Sequence, residues 1–274
     1  MIFVNDKQVS LSNFPDNTLM IKELNKHFIY GGSVYIKWNY ENDAELFALA
    51  CIRKYADQFY PNYIELDMPY CPHARMDRVK NSGDLFTLKY FAEIINSLNF
   101  SRVRILDAHS NVAPALIDRV RNCSPAPFIE KAISNIKNEA NLIAFYPDEG
   151  AMKRYSDIAN MPYAFGIKKR DWNTGKIEGL NIQNQELVKD KDVLIIDDIC
   201  SRGGTFLHSA FALKAAGAKR IFLYVTHLEE TVRQGELWTE MIQNKLIEKI
   251  YTADPLFNID EQINKYVYHL EIDD

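Results

Sequence analysis

Short runs of β-branched and other apolar residues alternate with helix-period segments along almost the whole chain, and this alternation constrains its fold most. SVYIKW (33–38), YIELDM (63–68), VRILDAH (103–109), LIAFYPD (142–148), YAFGIKK (163–169), VLIIDD (193–198) and IFLYVTH (221–227) read as strands. Helix-like segments at 42–59, 84–98, 151–159 and 205–217 separate them. The first is opened by Asn42 with Glu45 three residues on, a capping-box-like start. In the second, Leu85, Leu88, Phe91 and Ile95 fall on one face. Strands spaced by helices of this length imply βαβ units and mostly parallel sheets flanked by helices. The runs VLII and IFLYV have no polar face, as strands buried on both sides require.

The chain has 274 residues, enough for one large or two modest domains. NCSPAPF (122–128) brings two prolines between strand-rich halves, so two similar α/β domains are expected, 1–126 and 127–274, with a cleft between them. A net charge of −5 argues against a general nucleic-acid binder. No apolar run approaches the roughly eighteen residues of a membrane span. The N-terminus has neither the basic nor the apolar region of a secretion signal. The four cysteines are scattered without a CxxC, so reduced thiols in a cytoplasmic setting are expected, and no zinc site. The polar segment 169–190 is expected to be a mobile excursion.

The sharpest local signal is VLIIDDICSRGGTF (193–206). A buried strand ends in adjacent carboxylates, Asp197 and Asp198. A turn with Ser201, Arg202, Gly203 and Gly204 then opens a helix at Thr205. Ligands of parallel α/β sheets bind at the carboxyl ends of strands. A glycine turn running into a helix N-terminus offers backbone N–H groups and partial positive charge to a phosphate. Two acids beside such a cradle make sense when the phosphate is carried by a sugar whose vicinal hydroxyls donate to them. An Asp pair alone would do no more than cap the next helix; the whole strand–acid–turn–glycine pattern points to a ribose 5-phosphate unit.

The stretch resembles the phosphoribosyl-diphosphate (PRPP) binding motif shared by type I phosphoribosyltransferases and ribose-phosphate pyrophosphokinases, and other segments must choose between them. LDMPYCPHARMDR (66–78) resembles the PYARQDR stretch of the pyrophosphokinases, which implies ATP contacts from Arg75, Met76, Asp77 and Arg78. Guanidinium groups suit a triphosphate because each presents several fixed donors. LDAHS places His109 like the family's D-x-H histidine, a contact of the magnesium nucleotide, and YPDEG places Asp148 like its magnesium-binding aspartate. IKKR places Lys168 and Arg170 like the catalytic KRR loop. FPDNT places Phe14, Asp16 and Thr18 like the stretch that holds adenine, in the family from a neighbouring subunit.

The resemblance spans nearly the whole chain and favours the pyrophosphokinase class. It implies transfer of the β,γ-diphosphate of ATP to the anomeric hydroxyl of ribose 5-phosphate, with Mg2+ as cofactor, in a homo-oligomer such as a dimer or hexamer. The chain departs from the family at several places. The loop reads DDICSRGGT where the family has D-D-x-x-D-T-G-G-T, so Ser201 and Arg202 make it more positive by two charges. That change suits a 5′-substituted ribose such as ADP-ribose as an alternative acceptor. Met76 replaces a glutamine and Thr18 a glutamate, and a first strand is expected to be missing near the N-terminus. A phosphoribosyltransferase and a non-catalytic regulatory homologue stay open as alternatives.

Overall fold

A computed structural model describes residues 1–79, 81–136, 141–170 and 177–272; the side chains of 168–170 and 177–179 lie outside that description. The chain forms two compact units, Met1–Ser124 and Pro125–Asp274.

In the first unit, β1 (Ile2–Val4), β2 (Lys7–Gln8), β5 (Ser33–Trp38), β6 (Tyr63–Asp67), β7 (Arg102–Leu106) and β8 (Val120–Cys123) form a sheet in the order β2-β1-β5-β6-β7-β8. Strands β5 to β8 run parallel, and β1 is antiparallel to both of its neighbours. The N-terminal residues thus add two short strands to the edge of the parallel set. The short β3 (Leu11–Asn13) and β4 (Leu19–Ile21) pair as a separate hairpin. Helices α1 (Ala44–Ala56), α2 (Thr87–Ser97) and α3 (Val112–Leu116) connect the parallel strands. Burial alternates strictly along β5, so Val34, Ile36 and Trp38 enter the core while Tyr35 and Lys37 face out.

Two details of the sequence reading shift. Asn42 Oδ1 accepts from the Ala44 N–H at 3.0 Å just ahead of α1, whose N-cap position is Asp43. Glu45, however, accepts from the Glu41 N–H at 2.9 Å and the Trp38 indole at 3.0 Å, so it ties β5 to the helix as well as closing its start. Leu85 precedes α2 and is exposed, leaving Leu88, Phe91 and Ile95 as the buried face.

The second unit holds α4 (Ala126–Asn135), β9 (Leu142–Tyr146), α5 (Glu149–Ala159), β10 (Tyr163–Arg170), β11 (Ile177–Gln183), β12 (Asp192–Cys200), α6 (Gly204–Ala215), β13 (Arg220–Leu228), α7 (Glu236–Asn244), β14 (Lys249–Pro255) and β15 (Val267–His269). Its sheet order is β11-β10-β9-β12-β13-β14-β15, parallel except for β11. Alternate residues of β12 feed two cores. Val193 and Ile195 pack in the core that holds Phe206 and Leu207 of α6 and Leu237 of α7. Leu194 and Ile196 pack in the core that holds Ile129 of α4 and Tyr155 of α5. Burial on both faces explains why β12 and β13 carry no polar stripe.

The segment expected to be a mobile excursion holds, in its described part, a strand followed by a short 3-10 turn at Gln185–Leu187. Residues 165–170 of β10 pair antiparallel with β11, with a register shift between Lys169 and Arg170. Leu180 and Ile182 of β11 pack against the α6-side core. Among the described residues no helix is long and apolar enough to cross a membrane.

Candidate functional site

In the second unit the sheet ends build the site. Asp148 follows β9 in extended conformation and its Oδ1 accepts from Ala151 N–H at 3.1 Å, capping α5. On the adjacent strand, Asp197 Oδ1 accepts from the Asp198 N–H at 2.9 Å, and Asp198 is only 5% exposed. Burial pushes the Asp197 carboxyl well above the usual carboxylate range, and the charges of Asp198 and then Asp148 push it further. Negative charge therefore gathers where two neighbouring strands end. Arg154 of α5 answers it, with Nη1 at 3.5 Å from Asp198 Oδ2.

The loop after β12 is held from one side. Gly203 has φ +79°, and a Cβ there would lie 2.5 Å from Leu237 Cδ2, so the turn and the packing both require glycine. The Glu229 N–H donates to the Cys200 carbonyl at 2.9 Å, tying the ends of β12 and β13 together. The N-cap of α6 is Gly203, which has no side chain to cap with, and Gly204 and Thr205 at the helix start are exposed. A helix start without a side-chain cap presents N–H donors and dipole charge outward. Ser201 is half-buried and Arg202 exposed beside it. Cys200 is fully buried and burial pushes its thiol up, which suits packing rather than chemistry.

Behind the loop, Gly235 makes the closest backbone approach. A Cβ there would stand 1.9 Å from the Arg202 carbonyl oxygen and 2.8 Å from its carbon. Gly235→Ala must push the loop aside, and a loss of about 1–3 kcal/mol of stability is expected from such overpacking. A urea melt reads it as a lower midpoint at unchanged slope. An unchanged midpoint would show that the loop yields freely and that Gly235 does not brace it.

In the first unit, Asp77 anchors the loop after β6. It is 9% exposed and accepts from Arg78 Nε at 3.0 Å. Burial pushes its carboxyl up, but the Ser110 hydroxyl, the Arg78 guanidinium and the charge of His109 outweigh burial, and the net shift is downward. These contacts bring Asp77, Arg78 and His109 together at the carboxyl ends of β6 and β7. Arg75 and Met76 are exposed on the same loop. Asp107, in the left-handed region at φ +49°, turns the chain so that His109 is exposed.

Phe14, Asp16 and Thr18 form the tip of the β3–β4 hairpin. Asp16 Oδ1 accepts from the Thr18 hydroxyl at 2.7 Å and its N–H at 3.0 Å, and both hold the carboxyl below its ordinary range. Phe14 is 50% exposed at this tip. Lys168 and Arg170 close β10, and their side chains lie outside the described part.

Comparison with known proteins places this geometry. The family model described as phosphoribosyl transferase domain matches residues 151–255, the part with the acid pair and the glycine loop. A ribose-phosphate pyrophosphokinase of Thermosipho africanus is 31% identical over 200 residues, covering 71% of this chain and 61% of that protein. The chain is a relative of the ribose-phosphate pyrophosphokinases. The corresponding protein of Pyrococcus furiosus is 25% identical over 229 residues, covering 80% of this chain and 77% of that one. The chain spans about three fifths of the length of the first curated relatives it matches. A crystal structure of phosphoribosylpyrophosphate synthetase from Mycobacterium smegmatis shares the fold, with a TM-score of 0.76 over 96% of this chain and 85% of that one at 16% identity.

Three elements of the site escape a sequence reading. Arg154 lies in an ordinary amphipathic helix and its partner is on another strand. Gly235 is an isolated glycine thirty-three residues beyond Arg202. The buried His227, whose Nδ1 is 2.9 Å from Asp254 Oδ2, pairs across β13 and β14 at their carboxyl ends. Only His227 had a signal, in a strand that ends on a histidine.

Proposed function

We propose that the chain is an ATP-dependent diphosphokinase acting on ribose 5-phosphate, giving PRPP and AMP. The observation that carries this reading is the succession of Asp197 and Asp198, near the end of β12, and the glycine-capped, glycine-braced start of α6. The carboxylates accept the ribose hydroxyls while Ser201, Gly203, Gly204, Thr205 and Arg202 receive the 5-phosphate. Arg75, Arg78 and His109, with Met76 and Asp77 beside them, take the triphosphate of ATP. Phe14, Asp16 and Thr18 supply an adenine contact, given to a neighbouring copy in a homo-oligomer.

In the reaction the anomeric oxygen attacks the β-phosphorus, its proton is released, and the bond from that phosphorus to the AMP oxygen breaks. Catalysis then consists of positioning and neutralising charge on the β-phosphoryl and leaving oxygens. Lys168 and Arg170 supply the neutralising charge.

Magnesium fits the donor set. Among the described residues no three His, Cys, Asp or Glu side chains converge as a ligand group. That is expected of a cation that keeps its waters and is shared between one or two carboxylates and substrate phosphates. The accumulated charge that raises Asp197 would be relieved by such an ion. Asp148 in the second unit and, separately, His109 in the first are the residues that would contact magnesium, whose chemistry is to screen phosphate oxygens.

A second reading rests on Arg202. Its guanidinium stands exposed beside the anion cradle, where it suits the second phosphate of a 5′-substituted ribose such as ADP-ribose. Incubation with Mg2+, ATP and either ribose 5-phosphate or ADP-ribose, followed by phosphorus NMR, separates the two. AMP formation with ribose 5-phosphate is expected. AMP with ADP-ribose alone would move the assignment to the second reading. Silence with both, in protein that still binds ATP, would overturn the diphosphokinase reading in favour of a regulatory homologue or a phosphoribosyltransferase.

A further inference from the structure

We infer that Arg154 is a positioning residue for the sugar acceptor, acting by holding the Asp198 carboxylate in place; this rests on the ribose-binding role proposed above for Asp198. Three observations carry it. Arg154 Nη1 lies 3.5 Å from Asp198 Oδ2, a charge contact slightly long for a strong hydrogen bond. The guanidinium packs over the Tyr155 ring at 5.0 Å, and Tyr155 is itself 1% exposed, so the platform beneath the cation is fixed in the core. Its helix, α5, starts at Asp148 and follows β9, which is hydrogen-bonded to β12. The same short helix therefore carries an acid of the site at its start and the cation that steadies an acid of the next strand.

The chemistry asks for such a residue. The charges of Asp198 and Asp148 both act on Asp197, and like charges drive carboxylates apart. A guanidinium beside Oδ2 of Asp198 opposes that repulsion and holds the carboxylate in one orientation. Lysine would keep the charge and lose the planar fork that sits on a ring.

The test uses the full chain and two variants, Arg154→Met and Arg154→Lys. Ribose 5-phosphate binding is measured by calorimetry without ATP, and kcat and KM for each substrate by AMP release. For Arg154→Met the dissociation constant and KM for ribose 5-phosphate are expected to rise roughly tenfold, since a charged hydrogen-bonding partner is lost. KM for ATP should move less than about twofold, and Arg154→Lys should recover part of the loss. Adding Asp198→Asn to Arg154→Met should cost less than Asp198→Asn costs alone, because the two act as one unit. Strict additivity, or equal rises in both KM values with a lowered melting temperature, would make Arg154 merely structural and overturn the inference. Wild-type protein that neither binds nor turns over ribose 5-phosphate would overturn the functional reading and the inference with it.

Discussion

Lys168→Ala is expected to lower kcat roughly a thousandfold, the scale on which a cation serving a phosphoryl transition state acts. KM for ATP should change by less than about threefold, because ground-state binding of the triphosphate falls to other groups. The backbone supports this division. Strand β9 pairs with β10 only as far as Tyr146 opposite Phe165, while β10 continues through Arg170 against β11. Residues 166–170 therefore overhang the end of β9, where Asp148 stands. A Cβ at Gly166 would lie 2.7 Å from the Pro147 carbonyl oxygen, so the strand passes directly beside the chain that leads into Asp148. Lys168 lies two residues further on, at the end of the sheet where the carboxylates gather. In the reaction its charge would meet a β-phosphoryl group whose oxygens grow more negative. Steady-state kinetics with saturating Mg2+ decide the matter. A rise in KM for ATP that accounts for the whole loss in kcat/KM, at unchanged kcat, would make Lys168 a ground-state contact and move the transition-state role to Arg170.

The readable parts of this molecule are those in which one stretch of chain makes a whole device. Strand β12, its two acids, the glycine turn and the start of α6 are contiguous, so pattern and spacing suffice. The loop after β6 and the turn after β7 are each local too, but the bond that joins them is not. Asp77 is fixed by Ser110 and His109 from a different connection, and neither spacing nor periodicity reports that. The bracing of Arg202 by Gly235 and of Asp198 by Arg154 is likewise made by folding alone. Strands β1 to β4 are two or three residues long, too short for a period-two pattern to register. The β10–β11 hairpin was missed for another reason. Among the described side chains of β11, Leu180 and Ile182 carry its apolar face, and the alternating Asn181 and Gln183 give the segment the composition of a loop.

Asp197→Asn is expected to lower kcat/KM for ribose 5-phosphate by roughly a thousandfold, through lost charged hydrogen bonds to the sugar and weaker cation screening. The same change should make the unliganded protein more stable at neutral pH. The sign follows from the direction of the shift. In the folded protein the Asp197 carboxyl is raised by burial, by Asp198 and by Asp148, whereas in the unfolded chain it titrates near the ordinary value of about 3.9. A group raised on folding contributes its stability below the unfolded value and loses it as pH climbs through the folded one. At neutral pH the cost of carrying a charge at this buried position therefore works against the fold. Asparagine removes that charge, its Oδ1 can still accept from the Asp198 N–H, and its amide can donate to the Asp198 carboxylate. A rise of a few degrees in melting temperature at pH 7.5 is expected. The gap should close towards pH 4, where the wild-type carboxyl is already neutral. Magnesium with ribose 5-phosphate should raise the melting temperature of wild type more than that of Asp197→Asn, since only the carboxylate binds both. A variant that melts lower than wild type by the same margin at both pH values would show that the acid pair serves the strand end and not a ligand. The expected opposition of stability and turnover at one residue distinguishes a binding carboxylate from a capping one.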